Sequence, residues 1–143
     1  MIEWRDQVLD KLTVDRVGHG YNAVYDESVL RRIRENGIHL ECCPTSSMVT
    51  KAHVGAWKEH PIVRFAEEGI SFSLNTDDAS LFQIDLNSEL VLAHTKLELS
   101  FDTICKTVVD AAKASFLEND EKQALVLKLQ DHIAHARTRL GLV

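Results

Sequence analysis

Several familiar features are missing from this chain of 143 residues. No stretch approaches the ~20 consecutive apolar residues of a membrane-spanning helix. The start, Met1-Ile2-Glu3-Trp4-Arg5-Asp6, has no basic flank followed by an apolar run, so no secretory signal is visible. Cys-x-x-Cys does not occur. The three cysteines, Cys42, Cys43 and Cys105, are odd in number and two are adjacent. That pattern suits free thiols in a reducing compartment better than a disulfide framework. These absences predict a cytoplasmic protein. Basic residues are in deficit, 16 Lys and Arg against 22 Asp and Glu, for a formal charge of -6. The balance argues against nucleic acid or an anionic membrane as principal partner. Repeats, low-complexity tracts and linkers are also lacking. So is a Gly-x-Gly-x-x-Gly phosphate loop, which speaks against a self-contained flavodoxin-type domain.

What is present is an ordinary globular composition, 45% hydrophobic and 27% charged. A folded chain of this length buries about 70% of its extended surface, enough for one core. Three short apolar runs have strand length: Val14 to Val17, Ile38 to Cys43 and Ile70 to Leu74. Each ends in turn-forming residues: Gly18-His19-Gly20, Pro44-Thr45-Ser46-Ser47 and Asn75-Thr76-Asp77-Asp78. Helical patterns separate them, over Glu27 to Glu35 with Gly37 behind it, and over Pro61 to Glu68 with Gly69 behind it. The spacing is that of βαβ units, which predicts a parallel sheet and an α/β fold. Beyond the third strand three more helices are expected. One carries Leu86, Leu90, Val91 and Leu97. The next runs from Phe101 to Ala112, with Ser100 or Asp102 as cap. The last carries Leu125, Leu129 and Ile133, with Asn119 as cap. Residues 2–12 read as the end of a preceding helix, and residues 45–60 as a loop without a clear period.

Polar residues gather just after the predicted strands. In a parallel sheet those ends share one rim, where α/β folds bind their ligands. His19, the hydroxyl-rich turn after Pro44, and the paired acids Asp77 and Asp78 should therefore converge. Adjacent carboxylates leave the backbone in different directions, so they suit two roles, one on a metal and one on a substrate. The same residues also make a good turn and helix cap. The glycines around His19 fit either a close backbone approach or a turn.

Taken in order, Arg16-Val17-Gly18-His19-Gly20-Tyr21, Glu41-Cys42-Cys43-Pro44-Thr45-Ser46-Ser47 and Ser73-Leu74-Asn75-Thr76-Asp77-Asp78 resemble the adenosine deaminase family. So do Gly55-Ala56-Trp57-Lys58, His60-Pro61-Ile62, Ala111-Ala112-Lys113-Ala114-Ser115-Phe116-Leu117 and Asp120-Glu121-Lys122, which look like its animal-type members. The likeness runs from about Val14 to Leu129. Ala79 departs from it, standing where the family usually has Pro, but no reacting group is lost.

The resemblance implies a (β/α)8 TIM-type barrel of the metal-dependent hydrolases, of which residues 1–143 would be a single partial domain, its C-terminal part. It implies hydrolytic deamination of adenosine to inosine, with Zn2+ activating the attacking water. By motif match Asp77 would bind the zinc and hold that water. Asp78 would hydrogen-bond the purine ring at N7, and His19 would stabilise charge beside the water. The family's other motifs, a His-x-His and a His-Ala-Gly-Glu whose glutamate protonates the purine, do not occur in this chain. His132 and His135 form the one close histidine pair, on the last helix, with no third ligand near. The chain alone is therefore expected to hold no complete zinc site and to turn over little or no adenosine. Its open sheet edges suggest self-association or pairing with the missing half-barrel. The alternative within enzymology is a related aminohydrolase acting on adenine or AMP. A non-catalytic half-barrel that binds a nucleoside or a partner chain is the reading outside enzymology.

Overall fold

The computed structural model describes Leu9 and residues 13–142. Apart from Leu9, the helix expected over 2–12 lies outside the described residues. Three strands form one parallel sheet in the order β1, β2, β3: Arg16–Gly18, His39–Cys42 and Phe72–Leu74. The register pairs Arg16 with His39 and Leu40 with Phe72. All three fall inside the runs read as strands, give or take a residue.

The first crossover contains a 3-10 turn, Tyr21–Tyr25, and helix α1, Glu27–Glu35. The Asp26 carboxylate caps α1 by accepting from the amides of Ser28 and Val29. The second crossover holds α2, Pro44–Val49, a 3-10 turn, Trp57–Glu59, and α3, Pro61–Glu67. Pro44 and Pro61 each occupy a first-turn position, where the missing N–H costs nothing. Helix α2 corrects the loop expected over 45–60. Its inward residues include Ser46 and Ser47, so no apolar period marks it.

After β3 come a single turn α4, Ala79–Phe82, and three longer helices: α5, Leu86–Thr95; α6, Phe101–Lys113; α7, Asn119–Leu140. Ser100 caps α6 by accepting from the Thr103 amide. Asn119 does not cap α7. Glu118 holds the extended cap conformation and Asn119 is the first helical residue.

Alternation along the strands gives the sheet two unlike faces. Leu40, Cys42, Phe72 and Leu74 face Val29, Leu30 and Ile33 of α1 and Ile62 and Phe65 of α3, and all of these are buried. The residues between them, Arg16, His39, Glu41, Ser73 and Asn75, turn to the other face and bond one another. Arg16 Nε donates to Glu41 Oε1 at 2.6 Å. His39 bridges Ser71 Oγ at 2.8 Å and Ser73 Oγ at 3.0 Å. Asn75 Nδ2 donates to Ser73 Oγ at 2.9 Å. Arg16 also donates to the Ala114 carbonyl and lies over the Phe116 ring, 4.5 Å from its centroid. These contacts tie the end of α6 to the first strand. All three cysteines are free. Among the described residues no helix is long and apolar enough to cross a membrane.

Candidate active site at the strand ends

The chain leaves β1 through His19 and Gly20, both in left-handed backbone at φ 61 and φ 68. A Cβ on Gly20 would meet Leu40 Cδ2 at 3.0 Å, so this turn needs glycine twice over, for its φ and for space. The turn is anchored by the His19 amide, which donates to the Glu41 carbonyl at 2.8 Å. After β3, Asp77 is also left-handed, at φ 58. Non-glycine residues reach that region at a cost, and it recurs at functional sites.

These turns bring His19 and Asp77 together. His19 Nε2 stands 3.9 Å from Asp77 Oδ2, and Ser46 Oγ donates to the same oxygen at 2.7 Å. Of the hydroxyl-rich turn, Ser46 is thus the residue that touches the acid. Ser47 lies behind it. Asp78 is exposed at the start of α4, and its side chain makes no cap hydrogen bond. That disfavours a pure capping role for the pair. The structure therefore places His19, Ser46, Asp77 and Asp78 on one rim, as the strand ends predicted.

Other participants were not singled out from sequence. The Cys43 sulfur lies with an imidazole nitrogen of His19 and a carboxylate oxygen of Asp77, all within 4.8 Å of one another. Cys43 is buried, and its thiol is pushed up to about 12, by burial first and then by the Asp77 carboxylate. The Cys43 amide donates to the Tyr21 hydroxyl at 2.6 Å, and the Tyr21 ring sits 5.7 Å from that of His19. Burial holds the Tyr21 phenol far above its usual range, so it stays protonated beside Ser47. Ser47 Oγ meets His60 Nε2 at 2.6 Å and donates to the Pro44 carbonyl. His60 Nδ1 accepts from the Ile62 amide, so the proton rides on Nε2. A buried chain of His60, Ser47 and Tyr21 thus backs the rim.

Glu89 of α5 is fully buried. Its carboxylate accepts from the Thr45 amide at 3.0 Å and from the Thr45 hydroxyl, holding the first turn of α2 in place. No sequence signal marks it, because it is a single acid in a weakly patterned helix. Glu89→Ala would leave the part-buried Thr45 amide without its acceptor. It should lower unfolding free energy by about 1–3 kcal/mol in urea titration.

His132 and His135 do not join the rim. Each is exposed and bonds a carbonyl of its own helix, Lys128 and Asp131 respectively. His39, His53, His60 and His94 are engaged with Ser71 and Ser73, Ala56, Ser47, and Leu99.

The rim geometry is matched by kinship. The family profile described as adenosine deaminase matches residues 4–132. The chain belongs to the adenosine deaminase family. The adenosine deaminase of Bos taurus is 37% identical over 123 residues, covering 84% of this chain and 33% of that protein. The fold recurs in the crystal structure of adenine deaminase from Arthrobacter aurescens, at TM-score 0.84 and 23% identity, over 92% of this chain and 40% of that one. It recurs equally in an amidohydrolase from Burkhoderia ambifaria with bound Zn, at TM-score 0.84 and 21% identity, over 96% of this chain and 38% of that one. The three strands and their helices thus share the fold of a portion of a TIM-type barrel. The chain spans about a third of the length of the curated adenosine deaminase it matches.

Proposed function

We propose that residues 1–143, a single partial domain, supply the aspartate side of an adenosine-deaminating site in purine metabolism. The observation that carries this is the meeting of His19, Asp77 and Ser46 on one rim, with Asp78 beside them. Asp77, with the neighbouring His19, suits a divalent cation by donor type: a hard carboxylate oxygen and an imidazole nitrogen. In this reading Asp77 is the residue that holds zinc. When bound, the ion makes water nucleophilic near neutral pH. Ser46 fixes the Asp77 carboxylate by donating to one of its oxygens. His19, set by its left-handed turn against that carboxylate, stabilises charge as water adds to the purine. Asp78 points no hydrogen bond into its own helix and is free to hold the purine ring at N7.

Among the described residues, the glutamate that protonates the purine and the family's other histidines have no counterpart on this rim. Incubated with adenosine and zinc, the purified chain should form no inosine. Adenosine should still shift the amide resonances of His19, Ser46, Asp77 and Asp78, and adenine and AMP run beside it rank the substrate classes. Turnover at rates of an ordinary enzyme, or an unmoved set of amides with all three ligands, would overturn the reading. The cytoplasmic location expected from the free thiols belongs to the same proposal.

A further inference from the structure

We propose that Cys43, His19 and Asp77 form a three-donor sulfur, nitrogen and oxygen site for a thiophilic divalent cation within this chain alone. The proposal rests on the assignment of Asp77 as a metal ligand made above, and adds a ligand that neither the motifs nor the resemblance supplied.

Three observations support it. The first is convergence: the three donor atoms come from three different strand ends and lie within 4.8 Å of one another, with His19 and Asp77 at 3.9 Å. Tetrahedral zinc with bonds of about 2.0–2.3 Å places its ligands about 3.6 Å apart. Closing that gap needs the donor atoms to shift by about 1 Å. The second is support behind each donor. Ser46 holds the Asp77 carboxylate, the Tyr21 hydroxyl holds the Cys43 amide, and the Glu41 carbonyl holds the His19 amide. The third is chemistry. A buried thiol beside a carboxylate has no stabilising cation among the described residues, and a divalent ion would satisfy sulfur and oxygen together. Sulfur selects zinc, cadmium or cobalt over magnesium or calcium. The balance is simple: the thiol loses its proton to solvent, the thiolate binds the ion, and one proton is released per ion bound. Water completes the coordination sphere.

Cobalt(II) is the probe. Titrated into the full chain, it should produce a near-ultraviolet thiolate-to-cobalt charge-transfer band, visible ligand-field bands, and release of one proton per ion in weak buffer. Cys105→Ser should keep the charge-transfer band. Cys43→Ser should lose it while retaining the far-ultraviolet circular dichroism of the parent. His19→Ala and Asp77→Asn should each weaken cobalt binding at least tenfold. Cobalt bound with ligand-field bands but no charge-transfer band would overturn the role of Cys43 and leave the assignment of Asp77 standing. A charge-transfer band that survives Cys43→Ser, or no cobalt binding at all, would overturn the site. None of these outcomes bears on adenosine turnover, which is read separately.

Discussion

Lowering the pH from 7 to 4 should cost the fold about 3 kcal/mol through His60 alone. Burial, aided by neighbouring His53, holds the His60 imidazole down at about 4 in the folded chain, against 6.5 for an ordinary histidine. The unfolded chain therefore takes up its proton first. Stability from this group is complete above pH 6.5, and falls as pH drops towards 4. His39, also held below its ordinary value by burial and by Arg16, acts with the same sign. The packing explains why charge is refused: His60 lies among the rings of Tyr21, His53 and Trp57, with centroids 5.1, 4.8 and 6.5 Å away. Its Nδ1 is already an acceptor, and protonation would break the Ile62 bond that caps α3. Urea titrations at half-unit pH steps measure the slope. His60→Asn keeps a capping acceptor and should flatten it, and a wild-type slope that survives this substitution would assign the effect elsewhere.

Truncation of Phe65 to alanine should cost about 3–5 kcal/mol. Phe65 is wholly buried on α3, among the side chains that join α1 and α3 to the sheet. Removing its ring leaves a cavity in the only apolar face of a three-stranded sheet. Against a typical total of 5–15 kcal/mol, that loss is enough to populate the unfolded chain at 37 °C. The expected readout is a large fall in urea midpoint with little change in slope. Leu81 provides the contrast: 71% exposed on α4, it should tolerate alanine within about 0.5 kcal/mol.

Much of this was legible because it depends on local pattern. The strands were visible as short apolar runs ended by turns. Helices α1 and α3 were visible because their apolar residues recur at helical spacing and glycine follows. Helix α2 was hidden because its buried positions are serines, whose burial depends on His60 and Asp77 from elsewhere in the chain. At the site, His19, Asp77 and Asp78 announced themselves by position after the strands. Ser46 could not be told from Ser47 without the direction each leaves the helix. Glu89 gave no signal, because its partner Thr45 lies far away in sequence. Cys43 read as a buried thiol, which it is; its nearness to His19 and Asp77 is a property of two left-handed turns, which composition does not encode.

The order of the sheet bears on how such a fold can be divided. Each strand bonds the next one in sequence, Arg16 with His39 and Leu40 with Phe72, through crossovers of modest length. No described ladder threads a distant segment between two neighbours. Loop-closure entropy for such pairings grows only with the logarithm of the loop, so each βα unit can dock on the one before it with a modest penalty. Separating these strands from a closed barrel opens two seams, one beside β1 and one beside β3, and leaves both described ladders whole. The two edge strands, β1 and β3, are therefore where the remaining strands of a barrel would have to add for the sheet to close.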